Sequence, residues 1–259
     1  MKFTLSLIVG LAILDYTSAH YSFSRFIVNE TVHPQWKYVR YTLAGDPDLL
    51  AGRPPDWAND TLVNPIYNIH SLDYRCGRNG TVTGPNSDIA TVVAGSKVGF
   101  RPGFYNLGDT AFHDGPLFAY LSKSPAQTVD GLKTWDGDGD YFKIAEMGPY
   151  NKTKWFNLWE PKIRFSEFNF TIPATTPPGF YLLRADGIYP RAEFNHTQLY
   201  ASCAQVEIVG LGGGSTPGPT VKFPGAFDEF DEGVWIPQEI ANHSDLTRYK
   251  MPGPKLWTG

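Results

Sequence analysis

Cysteine is scarce in this chain: 259 residues carry two, Cys76 and Cys203. In an oxidising compartment the two would pair with each other, the alternative being two separate buried thiols. A pair leaves no thiol for nucleophilic catalysis. It would also close a long loop, which the chain-entropy view values at on the order of 4–5 kcal/mol. Positive charge is not in excess either. The formal net charge is −4, so nothing recommends a polyanionic partner such as nucleic acid. After the first fourteen residues no apolar run approaches the length of a membrane-spanning helix. Long amphipathic helices are missing, and no segment repeats. There is no Gly-x-Ser-x-Gly elbow. No pair of carboxylates is singled out by its setting as a glycosidase would need, and "GLGGGS" lacks the strand-then-helix context of a phosphate loop.

What is present begins with a leader. Lys2 gives a basic start, Phe3 to Leu14 an apolar core, and "TSA" small residues before a cut after Ala19. This is the pattern of a secretory signal peptide over 1–19. The mature chain, 20–259, is expected to be a secreted, extracellular, soluble single domain with no appended carbohydrate-binding module. Seven Asn-x-Ser/Thr triplets, at Asn29, Asn59, Asn79, Asn151, Asn169, Asn195 and Asn242, suit a glycosylated surface.

Aromatics make up 15% of the residues, with 26 glycines and 21 prolines. Strand-like runs alternate with turn residues: "KYVRYTL", "ATVVAGSKVGF", "PLFAYLS", "DYFKIAEM", "IRFSEFNFTI", "GFYLLRAD" and "QLYASCAQVEIVG". This predicts an all-β sandwich. "GLGGGSTPGPT" reads as a linker, and the segment after it as an extended tail packed back onto the sandwich.

The cut after Ala19 makes His20 the first residue. A free N-terminal histidine offers two nitrogens from one residue, the α-amine and the imidazole Nδ1. With a second histidine it forms a planar, three-nitrogen set of the kind copper(II) prefers. Among the other five histidines, His113 has a distinctive setting in "AFHDGPLFAYLSKSP", just before a Gly-Pro turn and an apolar strand. In "NHTQLYASCAQVEIVG" the two-residue period puts Gln198 and Tyr200 on one strand face and Cys203 on the other. A phenol and an amide so placed suit an axial oxygen beside a metal and a neighbouring hydrogen-bond donor; a core tyrosine beside a solvated glutamine is the alternative.

"HYSF", "HDGPLFAYLSKSP", "TWDGDGDYFKI", "GFYLLRAD", "QLYASCAQVEIVG", "PGPTVKFPGAF" and "YKMPGPKLWTG" occur in one order and spacing. Together they resemble the fungal lytic polysaccharide monooxygenases of auxiliary-activity family nine, formerly glycoside hydrolase family sixty-one. The resemblance implies an immunoglobulin-like β-sandwich whose long loops form a flat substrate face, and one copper ion per chain. It places copper on His20 and His113, with Tyr200 as the axial oxygen and Gln198 as the glutamine that hydrogen-bonds the oxygen species. Cys76 and Cys203 match a family disulfide. Tyr249 matches a substrate-face tyrosine, expected to stack on a pyranose ring, with Tyr21 a lesser candidate.

One position departs from the pattern. After the "LLR" strand the family usually carries a histidine beside the glutamine, and Arg191 stands in its place. Arginine cannot relay a proton, but its charge and hydrogen bonds can stabilise an anionic oxygen species. His196, inside a sequon, is expected at the surface. The acidic run Asp136 to Met147 resembles a calcium loop, yet Tyr141 replaces its glycine and Met147 its closing glutamate, so a solvated turn is expected. "DEFDEG" reads as an exposed charge run.

The implied activity is oxidative cleavage of a β-linked polysaccharide by hydrogen abstraction at C1 or C4. Cellulose, or a hemicellulose such as xylan on it, is the expected polymer. Oxygen or hydrogen peroxide is the co-substrate, and a small reductant or a secreted redox enzyme the electron donor. The protein is expected to be a monomer, with neither nucleic acid nor membrane as partner. A secreted copper-handling protein of the same fold is the alternative, with Arg191 as its best support.

Overall fold

The computed structural model describes residues 21–42, 65–103, 113–156 and 167–259. The leader 1–19, His20 and Asn59 lie outside them. Among the described residues, two sheets pack face to face. One has the strand order β2-β1-β4-β7, built from β1 (Ser22–Val28), β2 (Thr31–Val32), β4 (Lys97–Gly103) and β7 (Phe168–Thr171). The other runs β10-β6-β5-β8-β9-β3, from β3 (Ala90–Val93), β5 (Leu117–Lys123), β6 (Tyr141–Met147), β8 (Gly179–Tyr189), β9 (Gln198–Val209) and β10 (Thr220–Val221). Pairing is antiparallel except between β3 and β9. The expected β-sandwich is the observed fold.

Phe23, Phe26, Phe100, Phe168 and Phe170 meet Leu117, Ala119, Leu121, Leu183 and Val206 between the sheets. The larger sheet is also covered on its outer face, where Tyr74, Phe118, Tyr120, Tyr141, Phe223 and Phe227 form a second cluster. The first six residues of β5 are therefore buried on both sides, which is why its sequence reads as a continuous apolar run. The tail lies over this face. Thr220 and Val221 pair with β6, and Trp257 is buried with its amide donating to Lys143 O.

Arg184 and Asp186 are buried in this outer layer, the guanidinium 2.7 Å from the carboxylate and 3.5 Å from the Phe223 ring centre. Tyr74 Oη donates to the same carboxylate. Cys76 and Cys203 form a disulfide that ties the short helix Asp73–Cys76 to β9.

Two segments differ from the sequence expectation. "KYVRYTL" forms no strand in its described part; it meets β9 through an isolated bridge, Val39 to Ala204, with Arg40 N donating to Cys203 O and Gln205 N to Tyr38 O. Arg40 is buried there, its guanidinium donating to Gln205 Oε1 and to the Leu132 and Gly80 carbonyls. Side-chain bonds thus add to the two backbone bonds of the bridge in pinning the segment. Conversely, Ser22–Val28 forms a strand that the leader boundary concealed.

Candidate metal centre

The ends of β8 and β9 and the turn before β5 meet at one edge of the sandwich. Gly115 makes the approach of that turn possible. Its φ is +156°, and a Cβ there would collide with Ile188 O on β8. His113 is thereby brought against β8, where its imidazole lies on the Tyr189 ring, centres 4.5 Å apart and planes 2° from parallel. The same imidazole is 5.8 Å from the Tyr200 ring centre.

Gln198 and Tyr200 share a face of β9, as the period of two requires. Tyr200 Oη donates to Gln198 Oε1 at 2.7 Å, and Gln198 Nε2 donates to Tyr67 Oη at 3.3 Å. Both ends of the amide are thus fixed. Burial first, and then the neighbouring Tyr21, push the Tyr200 phenol well above its ordinary pKa. It is a neutral oxygen whose hydrogen is committed to Gln198.

Tyr21 stacks on Tyr200, centres 4.2 Å apart. Gly187, opposite Tyr200 in the register, leaves the room: a Cβ there would strike the Tyr21 hydroxyl. The described chain therefore starts beside Tyr200.

Arg191 reaches Tyr189 and Glu193. Its Nη1 donates to Tyr189 Oη at 3.0 Å and its Nη2 to Glu193 Oε2 at 3.0 Å, while its backbone amide donates to Thr197 Oγ1. His196 is exposed, its Nδ1 3.0 Å from Phe194 O. A cavity of about 200 Å3, lined by Asp114, Trp155, Tyr189, Arg191, Ile236 and His243, flanks the His113–Tyr189 stack.

Two expected substrate residues are corrected. Tyr249 is only 8% exposed, with its hydroxyl donating to Gly233 O and its ring packed edge-on against Trp155. Tyr21 is 2% exposed. Neither presents a ring face to a polymer, because each ring is used inside the fold. Of the sequon asparagines, Asn29, Asn79, Asn151, Asn195 and Asn242 are exposed, and Asn169 is half-buried, donating to Glu167. Asp136 and Asp138 of the acidic turn pair with Arg75.

Among the described residues no group of three or more His, Cys, Asp or Glu side chains could hold a metal ion. The local donors are one imidazole and one neutral phenol, with an amide alongside. Such a set suits a nitrogen-preferring metal if further nitrogens come from a residue next to Tyr21. The residues present therefore fit copper held with His20. Sequence reasoning missed Tyr67 and Tyr189. Tyr189 was within reach, two positions before Arg191 at the end of β8. Tyr67 stands 131 positions from its partner in a stretch with no motif of its own.

A model of Auxiliary Activity family 9 (formerly GH61) matches residues 20–249. The chain is 37% identical to AA9 family lytic polysaccharide monooxygenase U of Thermothielavioides terrestris, with all of both chains covered. It is 36% identical to AA9 family lytic polysaccharide monooxygenase D of Aspergillus tamarii, over 98% of this chain and 86% of that one. The crystal structure of a cellulose-active polysaccharide monooxygenase from M. thermophila superposes with a TM-score of 0.67 at 21% identity, covering 93% of this chain and all of that one. That structural likeness concerns the fold alone.

Proposed function

The chain belongs to Auxiliary Activity family 9, and from that premise we propose the role of each residue at the site. As a member of the family the protein is a copper-dependent lytic polysaccharide monooxygenase, with one copper ion and electrons drawn from an external reductant. Copper, when bound, supplies the one-electron chemistry that activates the oxygen co-substrate.

His20, through its amine and Nδ1, and His113, through its imidazole, hold the ion. This assignment requires removal of the leader after Ala19, and with it export of the protein. Tyr189 fixes the plane of the His113 ring. Tyr200 presents a neutral oxygen. Gln198 keeps its Oε1 on Tyr200 and one amide hydrogen on Tyr67, so its second amide hydrogen is oriented and available to the oxygen co-substrate. Arg191 is a positioning residue. Its bonds run to Tyr189 and Glu193, so it acts on His113 through Tyr189.

The polymer is cellulose, or a hemicellulose lying on it, oxidised at C1 or C4, and the working unit is a monomer of residues 20–259. The observation that carries the reading is the Tyr200–Gln198–Tyr67 hydrogen-bonded series beside the stacked His113, an arrangement that simple copper carriage does not require. The test is product mass spectrometry on copper-loaded mature protein, with and without ascorbate, on amorphous cellulose and on xylan-coated cellulose. Reductant-dependent aldonic or gem-diol oligosaccharides are expected, and their identity names the polymer and the carbon. Tight copper binding with no oxidised sugar on either substrate would sink the reading.

A further inference from the structure

Three aromatic side chains stay exposed together near the metal centre: Phe194 at 41%, Trp235 at 43% and Phe230 at 68%. Their ring centres are 5.1 Å apart for Phe194 and Trp235, 5.4 Å for Phe194 and Phe230, and 6.4 Å for Phe230 and Trp235. They come from two segments that are tied together. Trp235 Nε1 donates to Ala192 O, Ile236 N donates to Arg191 O, and Arg191 and Trp235 form a parallel bridge. Clustered exposed rings on a held backbone mark a binding surface rather than a packing accident.

Beside Trp235 lies a cleft of about 300 Å3. Trp235, Val234, Leu199 and Ile69 supply its apolar surface, while His70 and Glu229, 2.9 Å apart, supply polar groups. Tyr67 also lines it, and Tyr67 is the residue that holds Gln198. The cleft is thus one hydrogen bond away from the metal centre. A cleft lined by an aromatic side chain together with a carboxylate and an imidazole matches a pyranose ring, which has an apolar C–H face and a hydroxyl-bearing edge. The volume lies at the lower end for ligand sites, which suits one or two sugar rings rather than a long stretch of chain.

We propose that this cleft is a pyranose subsite of the polysaccharide substrate. One hexose unit stacks its C–H face on Trp235 and sets its hydroxyl edge on Glu229 and His70. Phe194 and Phe230 extend the contact outward. The subsite takes the place that the buried Tyr249 and Tyr21 leave unfilled, and it sets where the chain lies relative to Gln198. The inference rests on the monooxygenase reading above.

The test is calorimetric titration of cellohexaose and xylohexaose into the mature copper-loaded protein, the wild type against Trp235→Ala, Trp235→Phe and Glu229→Ala. Trp235→Ala is expected to weaken binding of one of the two sugars about tenfold, and Trp235→Phe to recover most of it. Glu229→Ala, at a partly exposed site, serves as the second probe should Trp235→Ala fold poorly, and it too should weaken binding. The copper spectrum should stay unchanged in all three. Unaltered affinity in Trp235→Ala and Glu229→Ala, or no binding of either sugar by the wild type, overturns the subsite. So does a glycan on Asn195, which also lines the cleft, found by nuclear Overhauser contacts to be seated on Trp235. Oxidised products from the wild type alongside Trp235-independent binding would remove the subsite and leave the monooxygenase reading intact. Trp235-dependent binding without oxidised products would do the reverse.

Discussion

The imidazole of His113 lies flat against the ring of Tyr189, centres 4.5 Å apart and planes within 2° of parallel. Tyr189 is held in turn by Arg191, which donates to its hydroxyl and lies 5.1 Å from its ring centre. A stack of this kind contributes about 0.5–1.5 kcal/mol beyond the area it buries. Removing it in Tyr189→Ala should weaken copper binding by about 2- to 10-fold and alter the copper(II) electron paramagnetic resonance spectrum, since the imidazole plane is no longer fixed. Tyr189→Phe keeps the stack and loses the Arg191 hydrogen bond, so its spectrum should lie close to the wild type. Identical spectra and affinities for Tyr189→Ala and the wild type would show that the stack does not orient the ligand.

An extra residue ahead of His20 converts the free amine to an amide, which cannot serve as a neutral nitrogen donor. Mature protein carrying one additional alanine is expected to lose tight copper binding while its metal-free thermal unfolding is unchanged, because Tyr21 still stacks on Tyr200. Titration calorimetry and a melting curve read the two quantities separately. Undiminished affinity would exclude the N-terminal chelate.

Much of this was legible because the strands that build the site are regular. The alternation of β9 puts Gln198 and Tyr200 on one face and Cys203 on the other, and the structure has Tyr200 hydrogen-bonded to Gln198 and Cys203 bridged to Cys76. The tail's return over the sheet followed from its length, since the segment after the glycine-rich stretch is too short for a second domain. What was hidden depends on contacts between distant residues. Tyr67 reaches Gln198 across 131 positions, and Trp235 joins Phe194 from a separate segment. The charge run "DEFDEG" reads as solvated, yet it supplies Glu229 to His70. Tyr249 was matched to a substrate-face tyrosine through the family resemblance, which carries no information on how its ring packs in this chain. Here its hydroxyl donates to Gly233 O from inside a packed cluster.

The buried Arg184–Asp186 pair gives a stability prediction independent of copper. Asp186→Ala would strand a guanidinium that is shielded from water, and also remove the acceptor of Tyr74 Oη. Breaking a buried pair by removing one partner costs about 3–5 kcal/mol. Denaturant unfolding of the variant should show that loss through a shifted midpoint at unchanged slope. A loss below about 1 kcal/mol would mean that the Arg75 and Tyr74 carbonyls, which also accept from Arg184, satisfy the cation unaided.

Arg191 and Glu193 allow a test at the metal centre that needs no metal. The hydrogen bond from Arg191, and then its charge, hold the Glu193 carboxyl below its ordinary pKa. For a carboxylate shifted downward, the pair is complete above the ordinary glutamate value of about 4.3 and is lost as the pH falls through the depressed one. Arg191 therefore stays anchored to Glu193 through the neutral and mildly acidic range, braced against Tyr189 with its charge locally balanced. Carboxyl NMR titration of the metal-free protein should give Glu193 a midpoint below the ordinary glutamate value. Arg191→Ala should raise that midpoint toward the ordinary value, while Tyr189→Phe, which leaves the Glu193 bonds in place, should not. A Glu193 midpoint that ignores Arg191→Ala would mean that the guanidinium is not held there in solution, which would favour its acting directly on the oxygen species.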